Sequence, residues 1–282
     1  MTRARGAALI LVLWLIALLA MLVGAFALTA RMESWQGQVA RDGSVVREHA
    51  RAGLEYALVR VVDSQAQTRW LPDGRRYRWT FAGSRLEVRL VDEGGKIDIN
   101  QADANLLAAL LRVRGVESEQ ADALAAAILD WRDADNLNQP QGGAEDPDYA
   151  SAGLGYGAKD APFESIDELQ QVLGMDAGIY ARIAPYLTIY SGRNLPDSSY
   201  APGPVLQAMG LDAERLLAQR ELPQEGNGQL VGSGSGTYSI DSHATLRDGK
   251  EATLRAVIRA AGGPLPGSAY AVLRWEEGAP PP

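Results

Sequence analysis

MTRARGAALILVLWLIALLAMLVGAFAL, residues 1–28, decides how the rest of the chain is read. Met1 to Arg5 is short and basic, Gly6 follows, and Ala7 to Leu28 runs for 22 residues without a charge. At 1.5 Å of helical rise per residue this run reaches about 33 Å, enough to cross a hydrocarbon core of ~30 Å. One end of the protein is therefore expected in a membrane. A secretory signal peptide has an apolar core of only ~7–15 residues, which makes Ala25-Phe26-Ala27 a decoy cleavage site. Arg3 and Arg5 place the N-terminus in the cytoplasm by the positive-inside rule.

The remainder has the composition of a water-soluble body, large enough at 282 residues in all for one or two domains with a real core. The chain has no Cys, so disulfides, thiol chemistry and cysteine-ligated metals are excluded. The net charge of −8 is unevenly spread: Asp92 to Arg193 holds 18 acidic and 7 basic residues, a net −11 that leaves +3 for everything else.

From Arg31 to Asp63, apolar residues recur at Met32, Trp35, Val39, Val46, Ala50, Leu54, Ala57, Leu58, Val61 and Val62, the spacing of a helix with one sticky face. The membrane helix is expected to continue into it as one rod, bent or frayed at Gly37, Gly43 and Gly53, each about 1 kcal/mol worse than Ala in a helix. A hairpin follows: Tyr77, Trp79 and Phe81 alternate with polar residues, Gly83 marks the turn, and Leu86, Val88 and Leu90 alternate again. Strand patterns return at Tyr238 and Ile240, at Ala252 to Val257 and at Ala269 to Trp275. The pattern predicts an α+β fold, a long N-terminal helix packed on an antiparallel sheet, with a large helical unit inserted in the sheet.

The insert is repetitive. Asn100 to Leu107, Leu111 to Val116 and Ala121 to Ile128 read as two short helices around a Gly turn. Phe163 to Leu169, Val172 to Met175 and Tyr180 to Leu187 repeat that order, and a weaker third copy runs from Ala201 through Gly210 to Arg220. These units resemble helix-hairpin-helix motifs, which makes a membrane-anchored DNA receptor of the competence type the rival reading. In DNA-binding versions a Gly-apolar-Gly turn leaves backbone N–H groups open to a phosphate. Here Glu117, Asp176 and Asp212 replace the second Gly. A module at −11 also lacks the cations whose counterion release drives nucleic-acid affinity, so no nucleic-acid partner is expected.

Between the first two repeats, Asp130, Asp133, Asp135, Glu145, Asp146 and Asp148 crowd a stretch otherwise rich in Gly, Pro and Gln. Ca²⁺ takes six to eight oxygen ligands in irregular geometry, so this stretch suits it. The stretch is not an EF-hand: counted from Asp133, position 6 is Asn138 where Gly belongs and position 12 is Ala144.

The order of Arg-containing leader, Gly6 and long apolar helix resembles the prepilin leader, cut by a dedicated peptidase after the Gly to leave Ala7 first. Pilins carry Glu at the fifth mature position to answer a neighbour's terminal amine; here Leu11 stands there, as suits a subunit with no neighbour above it. DWRDADN, GGAEDPDY, FESIDELQQVLGM, YARIAPYLTIY and the closing TYSIDSHATLRDGKEATLRAVIRA and AYAVLRWEEG are similar to the K-type minor pseudopilin family of type II secretion. Arg193 to Pro202 departs from that family's pattern.

The resemblance implies a leader at 1–6, a membrane segment at 7–30, the rest of the helix and a first hairpin at 31–91, an inserted acidic helical domain at 92–222, and a linker with closing strands at 223–282. It implies bound calcium, with Asp133, Asp135 and Glu145 as leading ligands and Asp130, Asn136, Asp146 and Asp148 as further ones. It implies processing between Gly6 and Ala7 by prepilin peptidase and a single-pass protein of the bacterial inner membrane with a periplasmic body. Its implied partners are I- and J-type minor pseudopilins, the inner-membrane assembly platform, membrane lipid, and the secretin channel or secreted cargo.

Nothing in the chain reads as catalytic. His49 and His243 lack a metal-spaced partner, and the linker composition around Ser233 and Ser235 does not form a nucleophile elbow. Trp79 and Trp275 are expected to pack in the sheet and Trp35 to sit near the membrane interface.

Overall fold

The computed structural model describes residues 4–65, 67–221, 234–260 and 270–278. Helix α1 is one continuous element of 58 residues, Ala4–Val61, about 87 Å long at standard rise. It runs through Gly37, Gly43 and Gly53 without a break, which corrects the expectation of fraying there. Within it Leu11–Thr29 has a mean hydropathy of 2.8, is long and apolar enough to cross a membrane, and is not buried against the rest of the protein.

Among the described side chains of α1, those of its last turns meet the body. Val46, Ala50, Leu54 and Ala57, spaced by three and four, form its buried stripe. Met32 and Val62 fall outside that stripe and are exposed, because Met32 lies below the sheet and Val62 follows the helix end. The side chains of Trp35 and Val39 lie outside the described residues.

The stripe packs on an antiparallel five-stranded sheet in the order β1 (Asp73–Phe81), β2 (Ser84–Asp92), β5 (Thr237–Thr245), β6 (Glu251–Ala260), β7 (Tyr270–Gly278). Leu86, Val88, Leu90, Ile240, Leu254 and Ile258 project from its inner face into this core. The alternating aromatics of β1 follow the same period: Tyr77 stacks on Trp70 at 4.3 Å, Trp79 on Tyr56 at 4.0 Å, and Phe81 meets His49 edge-on. The β1–β2 turn puts both Ala82 and Gly83 at positive φ, the twist a two-residue hairpin needs. Trp275 is more exposed than expected, since β7 is an edge strand.

Gly53 marks the closest approach of α1 to the sheet. A Cβ there would stand 2.3 Å from Ser242 Oγ and 2.8 Å from Leu86 Cδ2, whereas at Gly43 the nearest atom is 3.9 Å away. Gly43→Ala is therefore expected to gain about 0.5–1 kcal/mol of helix propensity. Gly53→Ala pays roughly 1–3 kcal/mol of overpacking against the same gain and is expected to melt lower. Thermal melts of the two variants check this; an unchanged or higher melting point for Gly53→Ala would show that α1 does not sit this close.

Strands β2 and β5 are sheet neighbours, yet everything from Glu93 to Gly236 lies between them in sequence. That segment builds a second core. Its elements are β3 (Ile97–Asp98), α2 (Ala104–Val113), α3 (Ser118–Arg132), α4 (Asp146–Ser151), α5 (Ala177–Ile183), β4 (Leu187–Thr188), α6 (Gly203–Ala208) and α7 (Ala213–Glu221). Leu110, Leu111, Ile128, Leu169 and Ile183 are fully buried within it. The parallel β3–β4 pair, two residues a side, gave no sequence signal.

The three Gly turns of the insert share a detail. Gly115, Gly174 and Gly210 all have positive φ, and the acidic residue two positions on closes each turn. The Glu117 carboxylate accepts from Glu119 N and Gln120 N, Asp176 from Ile179 N, and Asp212 from Arg215 N. The amides a phosphate would use are thus taken by side chains of the chain itself. The second unit opens with a 3-10 helix, Ile166–Gln171, rather than an α-helix, begun by the Ser165 side chain accepting from Asp167 N. The divergent run 193–202 is pinned by Asp197 N donating to Gly94 O at 2.7 Å and by Arg220 donating to Ala201 O at 2.9 Å.

Candidate metal centre

Helix α3 delivers the acidic stretch. Trp131 in its last turn is buried with Tyr149 and Phe163 and meets the exposed Tyr156 edge-on, and Arg132 donates to the carbonyls of Ile99 and Ala102, so the end of α3 is fixed in the core. Asp133 then ends the helix in extended conformation and turns the chain outward. Residues 134–144 return to Glu145, which precedes α4. Sequence reading took this whole stretch for a loop; Asp148 makes the difference, because its Oδ2 accepts from Glu145 N at 3.0 Å and starts the short helix.

One oxygen from each of Asp133, Asp135 and Glu145 lies within 4.8 Å of the others. Oxygens bound to one Ca²⁺ at 2.3–2.6 Å can be no more than about 5 Å apart, so the three fit a single ion. Both carboxylate oxygens of Glu145 and Oδ1 of Asp133 are buried without any hydrogen-bond partner. Among the described residues no Lys or Arg forms an ion pair with Asp130, Asp133, Asp135 or Glu145. A buried carboxylate without donor or cation is costly, and the cost falls on its ionised form. Burial first, and then the charges of Asp130, Asp133, Asp160 and Asp135, push the Glu145 carboxyl up to about 7. Burial and the neighbouring Asp135 raise Asp133 as well. The donor set is all oxygen, which suits a hard cation.

The other expected ligands divide. Asp130 is buried beside the cluster, where burial raises its carboxyl against the pull of the Gln139 and Ala144 amides. Gly143 makes room for it: a Cβ there would fall 1.8 Å from Asp130 Oδ2. Asp148 is committed to capping, with Glu145 N and Asn138 Nδ2 as donors that hold its carboxyl below the usual range. Asp146 is exposed and outside the three-carboxylate cluster, with its Oδ1 over Gly157 instead, and Asn136 is exposed. Asp160 was missed. It holds positive φ, unusual for a residue with a side chain, and its charge raises both Glu145 and Asp133. Nothing in Lys159-Asp160 as sequence marks it.

A sequence model of the family described as "Type II secretion system (T2SS), protein K" matches residues 84–192, a span that contains this cluster. The type II secretion system protein K of Klebsiella pneumoniae is 31% identical over 217 residues, covering 68% of this chain and 65% of that one. The protein of the same name from Pectobacterium carotovorum subsp. carotovorum is 27% identical over 249 residues, 79% of this chain and 76% of that one. The matched segment thus spans about two thirds to three quarters of these relatives. A chain in the crystal structure of the GspK-GspI-GspJ complex from enterotoxigenic Escherichia coli has a similar fold, with a TM-score of 0.59 at 18% identity, over 89% of this chain and 99% of that chain.

Proposed function

This chain belongs to the type II secretion system protein K family, and we propose that it is a non-enzymatic minor pseudopilin that ends the pseudopilus fibre and helps to start its assembly. The observation that carries this is architectural: a single membrane-length helix continues without interruption into the helix that packs on a five-stranded antiparallel sheet, and a helical head is inserted between β2 and β5. A fibre built from parallel apolar rods needs the first feature. The second supports an end position, because a bulky head leaves little room for a further subunit to stack.

In this reading Arg3 and Arg5 hold the N-terminus in the cytoplasm, prepilin peptidase cuts after Gly6, and Ala7 becomes the first residue of a rod with the body in the periplasm. Leu11 replaces a carboxylate that would have no amine to answer; left unpaired in the bilayer it would cost up to ~2.5–3.5 kcal/mol, the figure that holds at the helix centre. I- and J-type minor pseudopilins are the lateral partners, by likeness to the GspK-GspI-GspJ complex, and the inner-membrane platform is the assembly site. The upward acidic surface of the head faces the secretin or the cargo. Calcium bound by Asp133, Asp135 and Glu145, with Asp130 and Asp160 shaping the field, fixes the stretch between α3 and α4.

Terminal sequencing of the membrane-extracted protein is expected to begin at Ala7, and Gly6→Leu is expected to leave the precursor uncut. An intact Met1 in cells with active peptidase would remove the pseudopilin reading.

A further inference from the structure

The sheet has two edges, and β1 is the unusual one. Among the described residues, its nine residues pair on one side only, with β2. Around that edge stand Arg75, Arg76 and Arg78 of β1 and Arg85 and Arg89 of β2, with Asp73 and Glu87 among them and Asp241 of β5 opposite Arg89. Arg76 is directly opposite Arg89, and like charges in that position cost sheet stability. Glu87 reaches Arg76 at 2.9 Å and Arg78 at 3.8 Å, yet the side chains of those arginines remain 72% and 88% exposed. Beside them a shallow open hollow of about 630 Å³ is lined by Arg78, Arg85, Glu87, His243 and Thr245.

Charges on an edge strand ordinarily serve to prevent self-pairing. Five arginines against three carboxylates go further, building a local +2 on a chain whose net charge is −8. Lipid headgroups are a poor match for it. The hairpin tip is tied to His49 by the Ser84 hydroxyl at 2.7 Å, 20 helical residues beyond Thr29. That is about 30 Å along α1, several times the ~8 Å screening length of physiological salt.

We propose that β1 is a docking edge for an extended acidic segment of another protein, which adds as a sixth strand and sets alternate carboxylates against Arg76 and Arg78. Main-chain hydrogen bonds would give affinity and the arginines selectivity and on-rate.

The test uses the full chain in nanodiscs and a fluorescent eight-residue peptide of alternating Glu and Val, read by anisotropy. Saturable binding is expected, weakened severalfold between about 0.05 and 0.5 M salt. Arg76→Glu with Arg78→Glu is expected to weaken it about tenfold or more, a change of ~1.4 kcal/mol. A second probe does not depend on how the variant folds: the same peptide N-methylated at two adjacent central residues always has one blocked amide facing the edge, and it is expected not to bind. Absence of saturable binding, equal binding of the methylated peptide, or displacement of the peptide by anionic lipid in the disc each overturns the proposal.

Discussion

Calcium is expected to raise the melting temperature of the metal-free protein by on the order of 10 °C, and by more at pH 8 than at pH 5. At 100 times its dissociation constant a ligand adds about 2.7 kcal/mol, which for a domain of this size moves the transition by several degrees per kcal/mol. The pH dependence comes from Glu145, whose carboxyl sits at about 7 against an ordinary 4.5. Below pH ~4.5 both folded and unfolded forms carry the proton and there is no penalty. Between about 4.5 and 7 the unfolded chain ionises and the folded one does not, so metal-free stability falls through that window, by about 3 kcal/mol in all, and levels off above it. An ion replaces the proton, and its benefit grows as the proton leaves. Calorimetry with calcium or chelator at both pH values checks this. Glu145→Ala should flatten the metal-free slope, and Asp135→Ala with Glu145→Ala should abolish the calcium response. The same shift in that double variant, or none at millimolar calcium, would remove the ion from this site.

Glu93→Ala is expected to cost about 3–5 kcal/mol and to separate the unfolding of head and sheet. Glu93 is buried at the junction, where Oε1 accepts from Lys96 Nζ at 2.6 Å and from Ser239 Oγ of β5, while Oε2 accepts from Thr188 Oγ1 of β4. One carboxylate therefore joins the crossing segment, the body and the head. Its removal leaves the Lys96 ammonium, only 13% exposed, without a counter-charge. Glu93→Ala with Lys96→Met should recover part of the loss, because the stranded charge goes with it. Two calorimetric transitions in Glu93→Ala and partial rescue in the double variant are the expected results; a loss below about 1 kcal/mol would mean that other contacts hold the head.

The fold was legible where periodicity was strong. The alternation Tyr77, Trp79, Phe81 specified β1, and Val46, Ala50, Leu54 specified the face of α1, because burial on one side imposes those periods. The closest contact was not legible: Gly53 reads as a helix weakener until Ser242 and Leu86, distant in sequence, are seen to fill its Cβ space. In the acidic stretch, residue type pointed to oxygen ligation but could not rank the six carboxylates. Asp148 and Glu145 sit three apart with the same chemistry, and only the cap geometry sends one to the backbone and leaves the other unpartnered. Asp160 arrives through a backbone conformation that no local signal announces. The substitution of Gly by Glu117, Asp176 and Asp212 was readable as a loss of phosphate sites, and the three hydrogen-bonded caps give the physical reason.

Asp92 accepts from Gly94 N at 2.7 Å as the chain departs and from Ser235 N at 2.8 Å as it comes back. The head thus enters and leaves through a single doorway, and the strands on either side of that doorway already lie shoulder to shoulder. Bridged by an ordinary turn, they would make a finished small fold of their own. The crown could change in size over time without disturbing a single rung of the ladder beneath it.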